Sequence, residues 1–221
     1  MKDLALVLMT CDKYMYLVEM WYYFYLKYVN LDIPIYVVNE TKDLTIQGKW
    51  IRQIKINEPD INKWTYRVRQ AIHKVPEDNI FLCLEDVFFN KPLTTLIQDL
   101  YFFFKLVDAD SVRLSTVPSK RVTYAETQYI NFNRISQRSW YTISYEPNIW
   151  KKAHLMRCIP VNESPWDSEL EGSKRLHNTD HKTYFYLLEG SHVNVIQKGK
   201  VTKQGQILIN EYNENCKPDI I

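Results

Sequence analysis

One stretch constrains the chain more than any other: Asn79-Ile-Phe-Leu-Cys-Leu-Glu85-Asp86-Val-Phe-Phe89. Its apolar run is nearly unbroken, includes branched and aromatic residues, and follows Pro76-Glu77-Asp78. Such a run predicts a strand buried on both faces of a covered sheet. The run ends in two adjacent carboxylates, and apolar residues resume at once. Open α/β sheets bind ligands at the carboxyl ends of their strands. Burying charge there is costly unless a positive group meets it, and a divalent cation carrying phosphate oxygens would do so. The plainer alternative is that Glu85 and Asp86 open a loop and face water.

The surrounding pattern alternates. Residues 4–9 form a continuous apolar run and predict a first strand. Residues 15–28 carry apolar side chains nearly all round, with Tyr16, Glu19, Tyr23 and Lys27 on a more polar stripe, and predict a helix. Strands are expected at 34–39, 50–56, 80–84 and 111–115, and helices at 62–73, with Asn62 as N-cap, and at 92–106. The fold class that follows is α/β, a Rossmann-related mixed, mostly parallel sheet flanked by helices in a single domain. The second half is less regular. Residues 117–138 are polar and basic and read as a long loop, of which 120–138 is expected to order over the donor or acceptor. A strand is expected at 141–144, a helix at 147–156, and a helix opened by Ser164-Pro165-Trp166-Asp167. From His192 the chain reads as a strand, a turn around Gly199 and a second strand.

Composition excludes several classes. The 221 residues suit one domain, and 46% hydrophobic content is enough for a full core. A net charge of +2 argues against nucleic acid as a partner. No apolar segment is long enough to span a bilayer. The N-terminal apolar run resembles a signal peptide only superficially, because Cys11-Asp12-Lys13 follows it instead of a small-residue cleavage site. Cys11, Cys83, Cys158 and Cys216 have no paired spacing, which points to a reducing compartment and a cytoplasmic location.

The chain has only five glycines, with no Gly-x-Gly-x-x-Gly after the first strand and no Walker loop. A bound diphosphate would therefore need a carboxylate-held metal with help from Arg or Lys. The first predicted strand ends in Thr10-Cys11-Asp12-Lys13-Tyr14. Asp12 could accept hydrogen bonds from a base or ribose and Tyr14 could stack on it; alternatively, Asp12 is a helix N-cap. Arg67 could reach a diphosphate, or lie on the surface with Trp64 in the core. In Ser164-Pro-Trp-Asp167-Ser-Glu169-Leu-Glu171, Asp167 and Glu171 share a helix face and Glu169 points away. A first-turn carboxylate stays ionised beside the helix dipole and suits a general base, although first-turn acids are also ordinary on solvated helices. His177 and His181 have helical spacing but no third zinc ligand. Lys198-Gly199-Lys200 is a basic turn that could touch phosphate.

Together these segments resemble the small GT-A-type glycosyltransferases of bacterial surface-polysaccharide clusters and large algal viruses. The matching residues are Thr10-Cys-Asp-Lys-Tyr14, Trp64 with Arg67, Leu84-Glu85-Asp86-Val-Phe-Phe89, residues 141–151 and residues 164–175. The resemblance runs to about Gly205. It implies a nucleotide-sugar donor, a UDP-sugar being expected, and a Mn2+ or Mg2+ ion held by Asp86. It also implies an inverting transfer to the hydroxyl of a glycan acceptor, with Asp167 or Glu169 as base. Thr10, Asp12, Tyr14, Arg67 and Glu85 would then contact the donor. Residues 1–110 would form the nucleotide-sugar half and 111–221 the acceptor half, placed in the host cytoplasm if the source is a virus. Two departures stand out: the first strand-end acid is Glu85 where the family usually has aspartate, and Asp167 stands where glutamate is common. Rival readings are a sugar nucleotidyltransferase and a non-catalytic nucleotide-sugar or glycan-binding protein on the same fold.

Overall fold

A computed structural model of the protein describes residues 1–48, 50–116, 120–160 and 162–216. The first half alternates as β1 (Leu4–Met9), α1 (Met15–Tyr28), β2 (Ile35–Asn39), β3 (Ile51–Lys55), α2 (Trp64–Lys74), β4 (Asn79–Leu84), β5 (Val87–Phe89), α3 (Thr94–Leu106) and β6 (Ser111–Ser115). The second half adds β7 (Tyr124–Glu126), β8 (Phe132–Ile135), β9 (Asn148–Lys151), α4 (Lys152–Cys158), α5 (Pro165–Leu176) and β10 (Thr183–Leu187). Three short strands and a helix follow: β11 (His192–Asn194), β12 (Ile196–Gln197), β13 (Lys200–Val201) and α6 (Lys203–Cys216).

Nine strands form one sheet in the order β3-β2-β1-β4-β9-β6-β10-β8-β7. Within it, β8 and β9 run against the other strands. The chain builds outward from β1 to β3, then returns to lay β4 on the other flank of β1. That reversal opens a crevice at the carboxyl ends of β1 and β4, the place where α/β sheets bind ligands.

The apolar alternation of β1 explains the layering. Leu4, Leu6 and Leu8 join one core with α1 residues Trp21 and Phe24, α3 residues Phe103 and Phe104, and Leu208 of α6. Ala5, Val7 and Met9 join the opposite core with Trp64 and Val68 of α2, Leu155 of α4 and Leu176 of α5. Successive strand side chains point to opposite faces, so a strand covered on both sides must be apolar throughout, as all six β1 residues are.

Several sequence expectations change. The helix expected at 147–156 is instead β9 followed by α4. Ile149 packs with the first core and Trp150 with the second, so four residues make a buried strand that a helical period cannot represent. Residues 141–144 form no strand but a connection whose hydrogen bonds run to α5: the Ile143 N–H donates to Ser173 Oγ at 3.0 Å and the Tyr145 N–H to Glu169 Oε1 at 2.8 Å. The long loop expected at 117–138 contains the β7–β8 hairpin, with residues 117–119 outside those described. Asn62 is not an N-cap; Asp60 caps the 3-10 turn Ile61–Lys63 that leads into α2. β10 and α6 carried no clear sequence signal.

α6 docks through Gly205. A Cβ there would lie 2.6 Å from Val195 O and 2.8 Å from Val195 Cα. In an open helix, alanine would gain about 1 kcal/mol over glycine. Here the collision with backbone outweighs that gain, and Gly205→Ala should cost about 1–3 kcal/mol. Urea unfolding of the two proteins measures it; a stabilised variant would show that α6 packs more loosely than this contact implies.

Candidate active site

The crevice between β1 and β4 deepens into a cavity of about 710 Å³, within the usual size of small-molecule sites, roughly 300–1,000 Å³. Thr10, Asp12, Tyr14, Arg67, Glu85 and Asp86 all line it, and so do Glu40, Trp64, Pro165 and Trp166. Each wall has a local cause. The Thr10 N–H donates to Val38 O at 2.9 Å and the Glu85 N–H to Met9 O at 3.2 Å, so the strand ends are level. Buried positions Trp64, Thr65, Arg67, Val68, Ala71 and Ile72 follow a helical period and turn Arg67 inward from α2. The Thr65 N–H donates to Glu163 O and the Glu163 N–H to Thr65 Oγ1. That clasp, with Arg175 bridging to Glu163 at 2.7 and 2.9 Å, brings the start of α5 over the cavity.

Asp12 is not the N-cap of α1; Tyr14 occupies that position and makes no side-chain cap. The Asp12 carboxylate instead accepts from Asn39 Nδ2 at 2.8 Å, from the Thr41 hydroxyl, and from the backbone of Thr41 and Lys42. Burial alone would raise its pKa, but the Thr41, Asn39 and Lys42 hydrogen bonds win and hold it at about 2. Asp12 therefore fixes the 39–42 loop along the cavity wall. Tyr14 lines the wall with Lys13 Nζ over its ring, 5.1 Å from the centroid.

Arg67 is committed. Its guanidinium pairs with Glu40, and both side chains are almost fully buried. Glu40 was not picked out from the sequence, although it directly follows a parallel strand, the position that singled out Glu85. Breaking such a pair from one side costs about 3–5 kcal/mol, so an Arg67 variant reports on stability before it reports on ligands. Among the described residues Arg67 Nε is buried without a hydrogen-bond partner.

Glu85 and Asp86 accept no side-chain hydrogen bond among the described residues. Burial raises Glu85 first, the neighbouring Asp86 charge adds to it, and Arg67 only partly offsets them, leaving its pKa at about 8. Burial also lifts Asp86 to about 6. Among the described residues no three His, Cys, Asp or Glu side chains form a ready metal cluster. The donors on offer are hard carboxylate oxygens, the type Mg2+ and Mn2+ take, and such ions commonly use one or two carboxylates with phosphates and water. The donor set thus fits such an ion bound together with a phosphate ligand. Among the described residues His177 and His181 belong to no such cluster, and α5 ends at Leu176, so they do not share a helix. The Lys198-Gly199-Lys200 turn joins β12 to β13 and does not line the cavity.

The two candidate bases differ sharply. Ser164 caps α5, accepting the Asp167 N–H at 3.2 Å and donating its hydroxyl to Asp167 Oδ2 at 2.6 Å. Asp167 is exposed, next to the cavity-lining Trp166. Glu169 turns inward, accepts the Tyr145 N–H, and is raised by burial that Tyr145, Ser144 and Arg113 partly offset. Neither carboxylate lines the cavity itself.

No family model and no curated protein matches the sequence. The fold, in contrast, recurs in crystal structures of S. aureus TarS. A complex of TarS 1–349 with UDP superposes with a TM-score of 0.55 at 14% identity, covering 85% of this chain and 61% of that one. TarS 1–349 alone gives 0.52 at 14% identity, covering 85% and 60%. The chain thus spans about three fifths of the length of those structures. The chain shares the GT-A-like α/β fold of those structures.

The raised acids set a pH dependence. An acid whose pKa is higher folded than unfolded binds more protons in the folded state. Its contribution is most favourable below the unfolded value and is lost as pH climbs to the folded one. For Glu85 that window runs from 4.5 to about 8. His154 and His192, both lowered to about 4, act in the opposite sense, but only up to their ordinary 6.5. Between pH 6.5 and 8, in chelator, the Tm should therefore fall by about 3–6 °C, and Glu85→Gln should flatten that slope. An equal slope in both proteins, followed by thermal denaturation, would contradict the burial of Glu85.

Proposed function

We propose that the protein is a metal-dependent glycosyltransferase that moves a sugar from a nucleotide-sugar donor, a UDP-sugar, to a hydroxyl of a glycan acceptor with inversion. One observation carries this: two raised carboxylates meet in a cavity at the sheet's switch point, beside an arginine already paired with Glu40. A site short of positive charge suits a ligand that arrives as a cation with a diphosphate. The UDP in the TarS complex, on the same fold, agrees with that choice. Membership of the small GT-A family of surface-polysaccharide clusters and algal viruses rests on the segments 10–14, 84–89, 141–151 and 164–175.

In this reading residues 1–110 supply the donor half and residues 111–221 the acceptor half. Tyr14 offers a ring face to the base, Thr10 and Asp12 shape the wall around the nucleoside, and Arg67 stands behind the diphosphate. Asp86 would hold the Mn2+ or Mg2+ ion, with Glu85 beside it; when bound, that ion neutralises the departing diphosphate. Asp167, in the first turn of α5 and oriented by Ser164, takes the acceptor proton. Trp166 and Pro165 line the cavity next to Asp167 and flank the reacting carbon. Glu169 holds the 141–147 connection against α5.

Asp167→Asn keeps the cap geometry and removes the base, so turnover should drop by on the order of a hundredfold or more, with UDP affinity little changed. Glu169→Gln should lower the Tm more than it lowers turnover. Transfer from a panel of UDP-sugars, with and without Mn2+, tests both; near-normal turnover in Asp167→Asn together with none in a folded Glu169→Gln would move the base to Glu169. Asp86→Ala should abolish the metal dependence of UDP binding, read by calorimetry. Unchanged metal dependence would exclude Asp86 as the ligand.

A further inference from the structure

A row of buried polar side chains crosses the sheet beneath α4, at the amino end of β4 and so opposite the cavity. Trp150 of β9 pairs in register with Ser111 of β6, and Ser111 with Thr183 of β10, so the three share one face. His154 of α4 stacks on Trp150, with ring centroids 6.2 Å apart, and His181 stands two residues before Thr183. Among the described residues, Trp150 Nε1, Ser111 Oγ, Thr183 Oγ1, His154 Nε2 and both ring nitrogens of His181 are buried without a hydrogen-bond partner. Unpaired buried polar atoms are costly, so this seam is held closed less firmly than the apolar core around it.

One carboxylate serves both histidines. Asp110 Oδ1 lies 3.7 Å from His154 Nδ1 and 3.7 Å from Lys151 Nζ, and Asp110 Oδ2 accepts the Lys182 N–H at 2.9 Å. Arg157 Nη2 stands 3.3 Å from the same His154 Nδ1. Arginine only donates, so that nitrogen is the acceptor of a neutral ring, and a proton placed on it would face the guanidinium. Burial is the main cause keeping both rings neutral. It lowers His154 to about 4; Asp110 partly offsets it, while Arg157, His181 and Lys151 add to it. His181 is lowered by burial, Arg134 and His177, against Asp110 and Asp180. At the rim Lys151 and Lys182 pair with Asp108, and Cys158 of α4 stays a thiol because burial pushes it up to about 12.

We propose that His154 and His181 form an acid-sensitive latch: neutral, they let α4 close against the 177–182 connection; protonated, they share a single carboxylate and the two segments part. These segments enter and leave α5, so opening loosens the helix that carries Pro165, Trp166 and Asp167. The latch does not depend on the glycosyltransferase reading. Both rings hold protons more weakly closed than open. The open state therefore gains protons as pH falls below the ordinary 6.5, and opening grows down to about 4, where His154 titrates in the closed form.

Hydrogen exchange of the full chain, read by mass spectrometry at about pH 7.5 and about pH 5.5 with each rate divided by its intrinsic value, tests the latch. One pH unit below its ordinary value, each histidine favours opening by about tenfold. Segments 152–158 and 177–185 should therefore gain about ten- to a hundredfold in exchange at the lower pH, over and above any change in β1. His154→Gln cannot take a proton and should remove about tenfold of that gain. Arg157→Glu changes an exposed position, sets a counter-charge beside His154 Nδ1 and should also shrink the gain, which keeps the test decisive if the buried variant folds poorly. A wild-type gain no larger than that of β1, or an undiminished gain in either folded variant, would overturn the latch.

Discussion

One buried arginine faces more carboxylates than it can neutralise. Arg67 spends its charge on Glu40, and the two seal the floor of the crevice between β1 and β4. Glu85 and Asp86, a turn away at the end of β4, are left to the field of that pair and to their own mutual repulsion. A fold that covers both faces of its sheet cannot give those acids full hydration without opening the core beside them. The cost is carried as protonation: burial lifts Glu85 to about 8 and Asp86 to about 6. The nine-stranded sheet supplies the rigid frame, and the cavity's chemistry follows from this shortage of positive charge.

The rest of the site is held by contacts that look structural taken one at a time. Asp12 is used up in tying the 39–42 loop, which also presents Glu40. Thr65 and Glu163 clasp the start of α2 to the start of α5. Tyr145 ties the 141–147 connection to α5 twice, through its N–H to Glu169 and its hydroxyl to Ser168 at 2.5 Å. Removing any of these would move Trp166 and Asp167 relative to the cavity, and misplacement of about 1 Å is enough to cost large factors in rate.

Much of this was legible in the sequence, for physical reasons. β1 and β4 are buried on both faces and must be continuous apolar runs, so their ends, and the residues Thr10 and Glu85 at those ends, could be located. Ser164 and Pro165 announced α5 because capping chemistry is local. What escaped is non-local. β9 is four residues long and owes its form to pairing with β4 and β6 on either side, which no window of sequence contains. The 141–144 segment has the composition of a strand, but its backbone bonds go to α5 side chains. Asp12 carries the signature of a cap, yet its partners lie 27 to 30 residues away in the chain. Glu40 matters only because the sheet brings it beside Arg67, although it sits at a strand end and could have been found by the rule that located Glu85.

The central claim is that the acids at the switch point await a cation and a diphosphate together. Isothermal titration of UDP with Mn2+ at pH 7, repeated in buffers of different ionisation enthalpy, counts the protons exchanged on binding. Glu85, held near 8 in the free protein, is mostly protonated at that pH and should give up its proton when the cation arrives, so the account predicts net release of about one proton, lost in Glu85→Gln. Binding of UDP and Mn2+ with no proton release, or with the same release in Glu85→Gln, would contradict it.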